Sequence, residues 1–323
     1  MTTTYTVPNV VNLNIKSIGY HIIASGNDES GNPYISFDDF KNQVEYCKNI
    51  LSDCIKDRPS GTSMMNINVI LGKSSWGVNV LGEASRVGGA SIRINQYNTG
   101  FYDLNDISLH QNISVIIHEI IHVLGLFHSP GYVSSNYQQY YQEVQSGITT
   151  RRYFKGPKGL KGYEKVLLSN NIKVPNPIRI YLEDDFEEGT VNVHLEEAYE
   201  IDGDVASYEV IKVGGQFYPT LHNEIMTGLL NSDDNYITPI TMGCLDDFGY
   251  TINYESAHIL SNGYNMNFVN NSSQNTQGTS NNYFTMEETI YDLPFLNKVL
   301  KSNTLENETI LLNYAKEKWG EKI

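Results

Sequence analysis

A chain of 323 residues, 40% apolar and 18% charged, is long enough to bury a large core in two domains or in one elaborated domain. Its net charge of −15 argues against nucleic acid or an anionic membrane as the main partner, and no apolar run approaches the length of a transmembrane segment. Three cysteines, Cys47, Cys54 and Cys244, do not make a disulfide framework and read as buried thiols.

The N-terminal MTTTYTVPNVVNLNIK has neither a basic start nor an apolar h-region, so an intracellular protein, or one trimmed or delivered by another route, is expected. Alternating apolar positions over 10–24 predict a first strand, and SGNDESGNP at 25–33 predicts a loop. Over 35–57 the pattern predicts a helix with Phe37, Phe40, Val44, Cys47, Ile50, Leu51 and Cys54 on one face, ended by Pro59-Ser60-Gly61. Short β-prone runs at 65–71, 77–81 and 90–95 predict a sheet packed on that helix, with ASIRINQYN as its edge strand.

The next segment, HEIIHVLGLFH at 118–128, carries chemistry. Ile113, Ile116, Ile117, Ile120, Ile121 and Leu124 recur as one buried helical stripe, with Ser108, Asp106 and Asn112 competing as its start. His118 and His122, four apart, project from one face and can grip one metal ion. Glu119 beside them is a carboxylate able to take a proton from a metal-bound water. Gly125 stands where a helix can end in the left-handed conformation and turn the chain back toward a third ligand. The bland alternative is a core helix that happens to hold two histidines.

Beyond it, 129–148 is polar and tyrosine-rich, and RRYFKGPKGLKGY at 151–163 is basic and reads as a solvated loop. Residues 178–200 are strongly acidic, and 239–248 predicts a helix followed by a last strand. The Asn- and Ser-rich stretch at 258–282 reads as a linker, and 283–323 as a helical tail.

In order, LGEASRV (81–87), H-E-x-x-H-x-x-G, YFKGPKGLKGYEKV (153–166), GTVNVH ending at His194, NEIMTG (223–228) and ITMGCLDDFGYTINY (240–254) resemble the blocks of leishmanolysin-like metallopeptidases of the metzincin superfamily. The resemblance covers about residues 80–257. It implies an α+β zincin fold: a mixed twisted sheet with the active-site helix in an N-terminal subdomain (about 1–126), and a mostly irregular and helical C-terminal subdomain (about 127–257). It also implies His194 as third ligand, 72 residues after His122, with Leu195 where the family often has tryptophan. By the compact metzincin spacing His128 is the third ligand instead, and His222, four residues before Met226, is a further candidate. Met226 is implied to lie under the ligands as the floor of the site, while Tyr250 and Tyr254 are read as packing residues.

The expected activity is that of a zinc-dependent endopeptidase with one catalytic Zn2+, in which Glu119 activates a zinc-bound water against a protein or peptide substrate lying extended along an edge strand. The alternatives are a catalytically silent relative serving as a binding or adhesion module, and a zinc hydrolase of non-peptide amides. Retention of Glu119 and both helix histidines favours the enzyme.

Overall fold

The computed structural model describes residues 3–17, 35–72, 81–86, 89–96, 111–127, 137–146, 149–169, 173–183, 191–196, 211–213, 216–218, 221, 224–230, 235–258 and 284–285. The loop at 25–33, most of the strand expected at 77–81, the helix-start signals Asp106 and Ser108, His128, His222 and nearly all of the linker and tail lie outside them.

The first strand begins at Val11 and has a partner in front of it. Strand β1 (Thr3–Val7) and strand β2 (Val11–Ser17) form an antiparallel hairpin in which Thr3 faces Ile15 and Val7 faces Val11. The Thr-rich β1 hides from an apolar count because its β-branched residues are polar. They serve the outer face, where the Thr4 and Thr6 hydroxyls donate to Asn14 and Asn12.

Helix α1 (Phe37–Cys54) is capped by Ser36, whose Oγ accepts the Asp39 N–H at 3.0 Å. It stops before the expected residue 57 because Ile55–Asp57 straighten into strand β3. Strands β4 (Met65–Gly72), β5 (Gly82–Ser85) and β6 (Ser91–Asn95) complete a five-stranded sheet in the order β1-β2-β4-β6-β5. Strands β2, β4 and β6 run parallel, and β1 and β5 are antiparallel to their neighbours. The expectation that residues 90–95 form the edge is corrected. Strand β6 is interior, and the outer strand on that side is β5, four residues too short and polar to register as a strand by periodicity.

Leu13, Ile15, Ile67, Val69, Leu71, Ile92 and Ile94, all at most 1% exposed, form the sheet's inner face, met by Phe40, Val44, Cys47 and Leu51 of α1. Helix α2 (Gln111–Leu124) packs on α1, β5 and β6. Residues 112–127 are buried without exception, so α2 is a central helix rather than one with a single buried stripe.

After α2 the chain carries more strand than expected. Strands β7 (Tyr141–Ser146) and β8 (Thr149–Phe154) form a hairpin, and helix α3 (Pro157–Ser169) follows. The basic run 151–163 is therefore the end of β8 and the start of α3 rather than a solvated loop. Arg152 is buried with its guanidinium 4.3 Å from the Tyr141 ring centre, and Arg151 pairs with Glu196 at 3.6 Å. Strand β9 (Ile180–Tyr181) adds to β8, and strands β10 (Ile211–Val213) and β11 (Gln216–Tyr218) pair as a further hairpin.

Strand β12 (Leu229–Leu230) leads to helix α4 (Pro239–Asp247), where the sequence predicts one. Strand β13 (Thr251–Ile252) then pairs with β3, and strand β14 (Phe284–Thr285) pairs with β12. The three cysteines are free and buried.

Candidate metal centre

Helix α2 places His118 and His122 one turn apart, and both are fully enclosed, at 0% and 1% exposure. At its end Gly125 adopts φ 121° and Phe127 φ 54°, the left-handed backbone that breaks the helix. Two tyrosines hold this turn: the Tyr250 hydroxyl donates to the Leu124 carbonyl at 2.9 Å, and the Phe127 N–H donates to the Tyr141 hydroxyl at 3.2 Å. The packing role expected for Tyr250 is thus a specific one.

The third imidazole comes from residues 191–196. Asn192 takes φ 64°, and the strand-like bridges of Leu195 to Leu182 and to Thr227 hold the stretch in place. His194 Nε2 lies 3.2 Å from His118 Nε2 and 3.3 Å from His122 Nε2, and the latter two are 2.9 Å apart. Of the three candidate third ligands, His194 stands with the pair from α2, whereas His128 and His222 lie outside the described residues.

The backbone decides which ring nitrogens face inward. A carbonyl oxygen only accepts, so His118 Nδ1–H donates to Ile225 O at 2.6 Å and His122 Nδ1–H donates to Leu126 O at 3.0 Å. Their Nε2 lone pairs then point at each other across 2.9 Å, which is repulsive unless a cation stands between them. Burial, and then the neighbouring His194, push the pKa of His118 down to about 3 against the opposing pull of the Ile225 carbonyl, so the ring is a neutral ligand at pH 7.

Four-coordinate zinc at about 2.0–2.1 Å from imidazole nitrogens separates them by roughly 3.3 Å. The observed 2.9, 3.2 and 3.3 Å fit that geometry, and the orienting carbonyls are the outer partners that metal-bound histidines use.

Glu119, also fully buried, lies against strand β5. A Cβ added at Gly82 would stand 2.8 Å from Glu119 Oε1 and 2.9 Å from Val115 Cγ1. Met226 is buried in the turn whose Ile225 carbonyl orients His118. In the same turn Glu224 is fully buried and receives the N–H groups of Met226 and Thr238 and the hydroxyls of Thr238 and Thr241. Burial outweighs these donors and pushes its carboxyl up to about 7.

Neither Gly82 nor Glu224 was singled out by the sequence. Both stand inside blocks noted for their resemblance, LGEASRV and NEIMTG, and only proximity in space gives them a role. Leu195, the residue after His194, is fully buried.

No protein-family model, no curated protein and no solved structure matches this chain. Among the described residues no helix is long and apolar enough to cross a membrane.

Proposed function

We propose that this chain is a zinc-dependent endopeptidase of the leishmanolysin-like, metzincin type, with His118, His122 and His194 as zinc ligands and Glu119 as the proton-transferring group. The observation that carries the reading is the convergence of three buried Nε2 atoms within 3.3 Å, two of them with their Nδ1 hydrogens committed to backbone carbonyls. Three imidazoles leave a fourth position, as in catalytic rather than structural sites. A zinc ion held there supplies Lewis acidity toward a carbonyl and lowers the pKa of a water to about 7.

The residues of the chain do the rest. Glu119, adjacent to the first ligand and held against β5, accepts a proton from water and delivers it to the leaving amine. Its enclosure keeps bulk water from screening that charge. Strand β5, the outermost strand of its sheet among the described residues, offers its backbone to an extended peptide. Met226, in the turn that orients His118, forms the floor of the site.

The deciding experiment measures zinc per chain and peptide cleavage for the wild type, Glu119→Ala, His194→Ala and His128→Ala after dialysis against a mild chelator. The expected result is one zinc in the wild type and in the Glu119 and His128 variants, loss of zinc in His194→Ala, and turnover in Glu119→Ala lower by roughly 10²–10⁴. Zinc without any peptide cleavage in the wild type favours the catalytically silent binding module. A wild type that retains no zinc overturns the reading altogether.

A further inference from the structure

Resting on that zinc reading, the geometry points to Glu224 as the positioning residue of the metal centre: one buried carboxylate that ties the start of α4 to the turn orienting two of the three ligands. Three consecutive residues divide the work. The Glu224 carboxylate takes the Met226 N–H on Oε2 at 2.7 Å, and on Oε1 it takes the hydroxyls of Thr241 and Thr238 at 2.6 and 3.1 Å and the Thr238 N–H at 3.3 Å. The Ile225 carbonyl accepts His118 Nδ1–H at 2.6 Å. The Met226 carbonyl accepts the Leu195 N–H at 2.8 Å, the residue directly after His194.

The anchor at the far end is firm. Thr238 is the N-cap of α4, its own hydroxyl accepting the Ile240 N–H at 3.0 Å, and Thr241 lies in the first turn. A helix N-terminus favours a carboxylate, and Glu224 uses it without contacting the ligands itself. The Glu224 carbonyl closes the turn, accepting from the Thr227 N–H and hydroxyl at 3.2 and 2.8 Å and from Asn235 Nδ2 at 3.2 Å. Pulling on the carboxylate therefore displaces the two carbonyls that set the ring of His118 and the approach of His194.

Glu224→Gln is the discriminating change. Its amide oxygen still accepts from Thr238 and Thr241, while its NH2 meets the Met226 N–H, donor against donor. The measurement is zinc affinity by competition with a chromophoric chelator, together with the visible absorption spectrum of the Co2+-substituted protein, for wild type, Glu224→Gln and Thr241→Val. Asp247→Asn serves as control, since it weakens a buried carboxylate contact between α3 and α4 that has no bond to the 224–227 turn.

Zinc affinity should fall about 10–100-fold in Glu224→Gln, the range for loss of an outer partner of a metal ligand, with an altered Co2+ spectrum. Thr241→Val should fall less, and Asp247→Asn should match the wild type in both readouts. Wild-type affinity and spectrum in Glu224→Gln overturn the inference while leaving the zinc reading intact. If Glu224→Gln fails to fold, Thr241→Val decides in the same way. A wild type that binds no zinc removes both. Equal losses in Glu224→Gln and Asp247→Asn would show general destabilisation and overturn the positioning role.

Discussion

At the scale of single residues, Glu119 packs into the space left by the missing side chain of Gly82. A methyl there would stand 2.8 Å from Oε1 and 3.0 Å from Cγ of Glu119, and 2.9 Å from a methyl of Val115. Val115 is β-branched and fixed in the central helix, so the group able to yield is the carboxylate. Gly82→Ala should thus fold and retain zinc, yet lose about 10²-fold in turnover, the scale expected when a reacting group moves by an ångström. Steady-state kinetics beside zinc analysis check this, and undiminished kcat would remove Gly82 from the positioning of Glu119. The same residue shows what local pattern conceals: nothing in LGEASRV distinguishes a glycine required for a close approach from one in an ordinary turn.

At the scale of elements, the glycines of KGPKGLKG and of ITMGC explain each other. Helices α3 and α4 cross with backbone against backbone: a Cβ at Gly162 would lie 2.1 Å from the Pro239 carbonyl oxygen, and one at Gly243 would lie 2.3 Å from that of Lys158. The Asp247 carboxylate receives the N–H groups of Lys158 at 3.1 Å and Gly159 at 2.9 Å, satisfying the start of α3 from a residue 89 and 88 positions away. Glycine-to-alanine inside a helix ordinarily stabilises by roughly 1 kcal/mol. Here Gly162→Ala should instead destabilise by about 1–3 kcal/mol, because a backbone cannot rotate aside as a side chain can. Urea unfolding midpoints give the sign directly, and a gain in stability would refute the crossing. The basic run is thus explained by packing, with Arg152 stacked on Tyr141 and Arg151 paired with Glu196.

At the scale of the whole molecule, the candidate metal centre joins α2, on the sheet side, to the 191–196 stretch and the 224–227 turn of the C-terminal half. An ion that binds only the folded arrangement adds to stability by mass action, roughly 2.7 kcal/mol when free zinc is a hundred times its Kd. Unfolding followed with zinc and with chelator should show this increment in the wild type and its disappearance in His194→Ala. An equal response in both proteins would mean that His194 does not bind the ion.

How much of this was legible in the sequence differs by element. Helix α1, helix α2 with His118, Glu119 and His122, strand β4 and helix α4 follow from periodicity and ligand spacing, which act over a few residues and leave a direct trace in the order of side chains. Spacing alone pointed to His128 as the third ligand, with His222 a further candidate, and resemblance rather than physics pointed to His194. Bringing His194 within 3.3 Å of a histidine 72 positions earlier depends on bridges to Leu182 and Thr227 and on the Met226 carbonyl, contacts that no local pattern encodes.

The edge strand was misread for the same reason: whether β6 lies inside or outside its sheet depends on four residues, 82–85, whose pairing is decided by β6 itself. The local chain thus determined which helix could hold a metal and which carboxylate stands beside it. Tertiary structure alone decided what completes that site, what holds it, and which strand lies open beside it, because these rest on contacts between residues far apart in the chain.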